Sequence, residues 1–313
     1  MNKFKKIGLT ALAGSLVATS AFAGALTATG GASMSLANTT GSYDPGTGKA
    51  FSMGNQITIA GSGELDNGMT VSLSFQLDNG YENGGGPFDD HSVTVSSDAL
   101  GTLVFSGHGG SSAQSALDST AAGNIWNTTL GLSGSLATAA SGDNSLFYTL
   151  PEMTEGLAIT ASLSPGGNVA AQKSLTSFGL VYTGVDGLTV KYGQGDSGTP
   201  GAEIESTSMF ASYAIGSITV AVSNTENEKV AASDRELNSY QIAYTVTDDM
   251  SVTYGKDTFD LTGNGVDEEV DALGISYTSG GMTITATNKE ATGAGNVSTT
   301  KTEKWSLGLA FAF

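Results

Sequence analysis

The chain alternates apolar and polar residues with period two, in short runs separated by turns, along most of its length. Val71, Leu73, Phe75 and Leu77 alternate with Ser72, Ser74, Gln76 and Asp78, which predicts a strand with one apolar face. Ile57 and Ile59 oppose Gln56 and Thr58 in the run from Gly54 to Glu64, and Asp66-Asn67-Gly68 is a hairpin signal. A first strand runs from Ala25 to Asn38, followed by a loop through Pro45-Gly46. Val93 and Val95 lead through a turn at 98–101 to Leu103 and Phe105, and alternation returns at Leu146, Tyr148 and Leu150. The second half is more regular. Phe178, Leu180 and Tyr182 turn into Leu188, Val190 and Tyr192; Tyr240, Ile242, Tyr244 and Val246 turn into Val252 and Tyr254. Leu273, Ile275 and Tyr277 turn into Met282, Ile284 and Ala286, and the chain ends on Trp305, Leu307, Leu309, Phe311 and Phe313.

Connections alternate between short turns and longer stretches rich in Gly, Asn, Asp and Glu, such as Asn224 to Glu236 and Thr258 to Glu269. Tight turns on one side and longer loops on the other are the asymmetry of a membrane β-barrel. Seven short turns join fourteen strands and the terminal segments close the ring, which predicts about sixteen strands, each of roughly 9–11 residues. Tyr182, Tyr192, Tyr213, Tyr244, Tyr254, Tyr277 and Trp305 fall near strand ends, where aromatic rings suit the membrane interface.

One stretch breaks the rhythm. Gly109 to Asn144 has no clean alternation and only two charges, Asp118 and Asp143. A structureless segment of that length in a compact fold points to function. The expectation is an all-β antiparallel barrel with this loop folded into the space it encloses.

Composition agrees. Charged residues are 13%, mean hydropathy is +0.00, and after the start no run approaches the ~20 apolar residues of a membrane helix. The opening is a leader: Lys3, Lys5 and Lys6 precede an apolar stretch from Ile7 to Val17, and Ala21-Phe22-Ala23 offers a cleavage site. The expected division is residues 1–23 as signal peptide and 24–313 as barrel. Removing the leader takes three of the 12 Lys and Arg and none of the 30 Asp and Glu. So acidic a chain is the wrong partner for nucleic acid, which needs clustered cations. With no cysteine, this exported chain has no disulfide framework.

Catalytic patterns do not assemble. His91 and His108 lie 17 residues apart with no cysteine or helical His partner, no phosphate-binding GxxxxGK[ST] occurs, and no Ser stands in a GxSxG turn. The chain reads as no enzyme, and no cofactor is required. One stretch resembles a calcium loop: Asp260, Asn264, Asp267 and Asp271 lie in a run with Gly265 at its sixth position. It lacks the helices that flank such loops, so a solvated acidic loop is the reading favoured over calcium. Asp89-Asp90 and Glu203 to Glu205 are further candidates for loose divalent binding at the cell surface.

The leader through Ala23, the hairpin Glu64 to Met69, Val93 to Phe105 leading into the long loop, and the terminal WSLGLAFAF together resemble the general diffusion porins of Gram-negative bacteria. The likeness is to the alphaproteobacterial sixteen-stranded type. It implies a homotrimer of water-filled outer-membrane pores passing small hydrophilic solutes, with residues 109–144 as the constricting third loop. It also implies that Phe313 is a recognition tag for the barrel-insertion machinery. The family faces an acidic loop with a cationic wall, whereas this chain has a single arginine, Arg235. By alternation Lys191, Lys289 and Lys304 fall on the polar face with Glu64 and Asp78. Asp118, Asp143, Lys191 and Lys289 are the expected constriction residues, and so acidic a wall predicts cation preference. The competing reading is a secreted or surface-attached β-rich structural protein or adhesin. The absence of a fixed-period repeat and the aromatic last residue weigh against it.

Overall fold

The computed structural model describes residues 26–41, 48–78, 88–117, 120–123, 125, 130, 132, 142–166, 173–199, 201–229, 234–263 and 265–313. The leader, 1–23, lies outside them. Sixteen strands follow one another: β1 (Thr27–Gly41), β2 (Gly48–Glu64), β3 (Thr70–Asp78), β4 (Phe88–Ser97), β5 (Gly101–His108), β6 (Ser145–Thr149), β7 (Leu157–Ser164) and β8 (Leu175–Val185). The second half is β9 (Leu188–Thr199), β10 (Ala202–Ile215), β11 (Ile218–Lys229), β12 (Arg235–Thr247), β13 (Met250–Leu261), β14 (Glu268–Ser279), β15 (Met282–Thr292) and β16 (Lys301–Ala312).

Every neighbouring pair is antiparallel, and β1 pairs with both β2 and β16, so the sheet closes into a barrel. Closure leaves no edge strand with unpaired backbone groups, the condition for crossing a bilayer with strands. The seam runs from Gly31 opposite Ala312 to Gly41 opposite Thr302. It continues one residue further. Phe313 N–H donates to the Gly30 carbonyl at 3.0 Å, and Gly30 N–H donates to the Phe313 carbonyl at 2.7 Å. A β-carbon on Gly30 would lie 2.5 Å from the Phe313 ring, so the glycine makes room for the terminal aromatic.

The turns expected from sequence close the strand pairs. At 65–69, Gly68 takes φ +79°, Gly68 N–H donates to the Leu65 carbonyl at 2.8 Å, and Asn67 Oδ1 accepts from Met69 N–H at 3.1 Å. The longer connections differ from expectation. β11 runs to Lys229 and β12 begins at Arg235; β13 runs to Leu261 and β14 begins at Glu268; Glu203 to Glu205 belongs to β10. β2 likewise begins at Gly48, before the expected Gly54. On β11 both faces become polar, and at the ends of β12–β14 the outward face turns polar while Leu237, Phe259 and Val270 point inward, so the lipid-facing contrast that marks a strand is lost while the hydrogen-bond ladder continues.

One face of the wall carries Phe51, Met53, Ile57, Leu73, Phe105, Val222, Ile242, Tyr244, Leu273, Ile275 and Leu307, all exposed. The other face looks into the barrel. Buried apolar side chains gather inside it, where Ile125, Leu130 and Leu132 of the long loop meet Leu237, Phe259, Val270, Ala272, Ala291 and Ala294.

Candidate pore constriction

The loop after β5 is closed at its neck by a bridge between Gly110 and Gly142, and then crosses the interior along the wall. Serines on successive strands hold its backbone. Ala113 N–H donates to Ser162 Oγ on β7 at 3.0 Å and to Ser177 Oγ on β8 at 2.9 Å. Gln114 Nε2 donates to Ser206 and Ser208 on β10 at 2.6 and 3.0 Å. Ala121 N–H reaches Ser223 on β11, and Ala122 N–H reaches Ser239 on β12, both at 2.8 Å. Lys289 Nζ of β15 donates to the Ile125 carbonyl at 3.3 Å. An irregular segment buried in this way must find partners for its backbone donors, and hydroxyls on short side chains supply them without holding the loop off the wall.

The wall beneath is cut low. A β-carbon on Gly179 would sit 2.7 Å from the Ala113 carbonyl, one on Gly193 2.7 Å from Leu117, and one on Gly255 2.8 Å from Ala122. Past that floor the loop is anchored by burial: Leu130 and the wall residue Val270 have no exposure. The apolar positions at the top of β12–β14 are therefore a seat for the loop.

None of the described hydrogen bonds joins the loop to the interior surface of β1–β3. Ser33, Ser52 and Gln56 face the same space and are exposed. Asp78 and Glu64 fall on the lumen face of β3 and β2 by alternation; Lys289 and Lys304, which oppose each other on β15 and β16, lie on the neighbouring arc beyond β1.

The structure brings some expected constriction residues to the loop and separates others. Lys289 touches it directly. Lys191 faces the lumen beside Phe210, with Nζ 4.8 Å from that ring's centroid. Asp143 sits at the neck, where its Oδ1 lies 3.7 Å from His108 Nε2. Asp118 lies outside the described residues. The calcium run does not converge: Asp271 pairs with Lys256 across the ladder, four residues from Asp260, so the two carboxylates are separated by about 13 Å of strand. Asp271 accepts from the Tyr254 hydroxyl on the outer face, Asp267 is exposed, and Asn264 lies outside the described residues.

Sequence reading missed the serine ladder and the histidine at the neck. His91 and His108 are direct partners across β4 and β5. His91 stacks on Phe75 with centroids 6.3 Å apart, whereas His108 faces Asp89, Asp90 and Asp143. Their spacing of 17 residues is the length of a hairpin, which is what brings them together.

A family model for Gram-negative porins matches residues 8–313. The chain belongs to this family. Among solved structures, this porin is similar to the OmpT outer-membrane protein of Vibrio cholerae in its trimer form: TM-score 0.69, 15% identity, 93% of this chain and 100% of that one. It is similar to an anion-selective porin from Comamonas acidovorans, with TM-score 0.67, 13% identity, and coverage of 92% and 99%. A mutant of the Rhodopseudomonas blastica porin superposes with TM-score 0.66 at 16% identity, covering 92% and 100%. No curated protein sequence matches.

Family and fold together place the porin in the outer membrane, which explains its exposed apolar face. Val222, Ile242, Tyr244, Leu273 and Ile275 meet lipid there. Above them the outward face turns polar: Asn224, Asn238 and Glu236 bond one another, and Lys256 pairs with Glu269 at 3.0 Å. Tyr240 and Tyr254 border the change and Tyr213, Tyr244 and Tyr277 lie near the opposite turns, as interfacial girdles do.

Proposed function

We propose that this porin is a passive, cation-preferring channel for small hydrophilic solutes, narrowed to one side by its third loop. The observation that carries the reading is the asymmetry of the lumen: a loop bonded along β7–β15, with none of the described hydrogen bonds joining it to the polar wall on β1–β3. The carboxylates nearest the open side are Asp78, Asp89, Asp90 and Asp143, while Lys289 is engaged by the loop carbonyl. A low-dielectric passage lined by one sign of charge concentrates the opposite ion. Asp118 and Lys191 complete the proposed constriction set. A porin of similar fold from Comamonas is anion-selective, so the fold does not impose cation preference and the side chains decide.

The trimer form of OmpT supports a homotrimer for this chain. Phe313, tied into the seam and 76% exposed, is proposed as the mark read by the barrel-assembly machinery, with 1–23 as the export leader. The test is the reversal potential of purified protein in a planar bilayer under a potassium chloride gradient. A cation-favouring potential is expected. Anion preference would assign the passage to Lys191, Lys289 and Lys304 instead, and absence of conductance from folded protein would remove the channel reading.

A further inference from the structure

The neck of the third loop gathers more ligand-bearing groups than a passage for ions requires. One oxygen each from Asp89 and Asp90 and one nitrogen from His108 lie within 4.8 Å of one another. We propose that Asp89, Asp90 and His108 form a binding site for a divalent transition metal of the zinc type, with Asp143 orienting the imidazole.

The two ring nitrogens of His108 face different partners. Nδ1 is 3.9 Å from Asp89 Oδ1 and 3.7 Å from Asp90 Oδ1, while Nε2 is 3.7 Å from Asp143 Oδ1. A metal-bound histidine gives one lone pair to the ion and its other N–H to a carboxylate, which sets the tautomer. Here Asp143 stands at Nε2, leaving Nδ1 to point between the paired aspartates. An ion held at about 2.1 Å in a tetrahedral shell needs donors about 3.4 Å apart, so the observed separations close with small side-chain rotations and leave a fourth position to water.

The frame is fixed by backbone. The Gly110–Gly142 bridge and the bond from Asn144 N–H to the Gly107 carbonyl at 3.3 Å join the two limbs of the neck. A β-carbon at Gly109 would collide with Asp90 Oδ1, and Gly109 takes φ +69°, so glycine there lets the carboxylate reach His108. Asp78 lies close enough to Asp89 for the two carboxylates to repel, adding a fourth acid. Among the described ion pairs none brings a Lys or Arg to Asp89, Asp90 or Asp143. Like charges so assembled favour a bound cation. The imidazole decides its class, because calcium takes six to eight oxygens whereas nitrogen donors suit zinc, copper and nickel.

The chain has two histidines, so the assignment is clean to test. Untagged, refolded protein in detergent is titrated with zinc chloride by calorimetry, folding being checked by heat-modified mobility. One zinc per chain is expected, with affinity falling at least tenfold in His108→Asn, falling less in Asp143→Asn, and unchanged in His91→Asn and in millimolar calcium. Copper added to the wild-type protein is expected to show one-nitrogen coupling in its electron paramagnetic resonance spectrum, a readout that needs no variant. No saturable zinc heat below millimolar, equal affinity in His108→Asn, or an oxygen-only copper spectrum would overturn the site. Binding is measured without conduction, so its failure leaves the channel reading standing, and loss of conduction leaves the site standing.

Discussion

Two arcs of the same wall carry serine at lumen-facing positions and use it in opposite ways. On β1 and β2, Ser33 and Ser52 are exposed, and Ser52 shares a bond of 2.6 Å with Ser35. On β10 to β12, Ser206 and Ser239 have no exposure, Ser208 and Ser223 have 3% and 7%, and all four accept from the third loop. One arc wets a passage and the other fastens the segment that narrows it. A small hydroxyl suits both tasks, because it hydrogen-bonds equally to water and to a backbone donor while occupying little space.

The contrast is sharpest for substitutions that remove the loop's apolar anchor. Leu130→Ala is expected to cost about 2–5 kcal/mol, as for other buried leucines, in equilibrium urea unfolding of the detergent-folded barrel. The loosened loop should also add noise to single-channel current. An exposed lumen residue of the open arc offers no such loss, so an equal cost for Gln56→Ala would mean that both arcs are packed.

A middle-sized effect is expected at the serines. Ser239→Ala leaves the buried Ala122 N–H without its acceptor, a loss of about 1–3 kcal/mol. Ser33→Ala, facing water, should stay within about 0.5 kcal/mol of the parent. Equal values in the same unfolding measurement would erase the distinction between the arcs.

Glycines give the finest comparison. At Gly255 a β-carbon would lie 2.8 Å from Ala122 Cβ, whereas at Gly54 it would meet the Ser33 hydroxyl at 2.9 Å. The first must displace a seated loop, costing about 1–3 kcal/mol by overpacking; the second turns a hydroxyl into water. Gly255→Ala is therefore expected to change conductance more than Gly54→Ala, measured as single-channel steps in the same salt. The reverse order would place the loop elsewhere.

Much of this was readable in the residues. Leu273, Ile275 and Tyr277 on β14 show their face by period two alone, because lipid and water impose opposite demands on successive side chains. The tight Asp66-Asn67-Gly68 turn gave the hairpin, and the count of such turns gave the number of strands. The outer ends of β11 to β13 were less legible: Glu226, Glu228, Glu236 and Asp260 read as loop although they continue the ladder. Above the bilayer the outward face turns polar, and where Leu237, Phe259 and Val270 face inward to the loop the alternation changes sense.

By itself, then, the sequence determined the barrel, its strand number, its outward face and the segment that breaks the pattern. Those follow from local rules of period and turn chemistry. The tertiary structure alone decided which serines bind the loop, that Asp260 and Asp271 stay apart, and that His108 meets Asp89, Asp90 and Asp143. Such meetings depend on barrel closure and on the loop's path across the lumen, which join positions such as Ala122 and Ser239 that are 117 residues apart and that no local pattern connects.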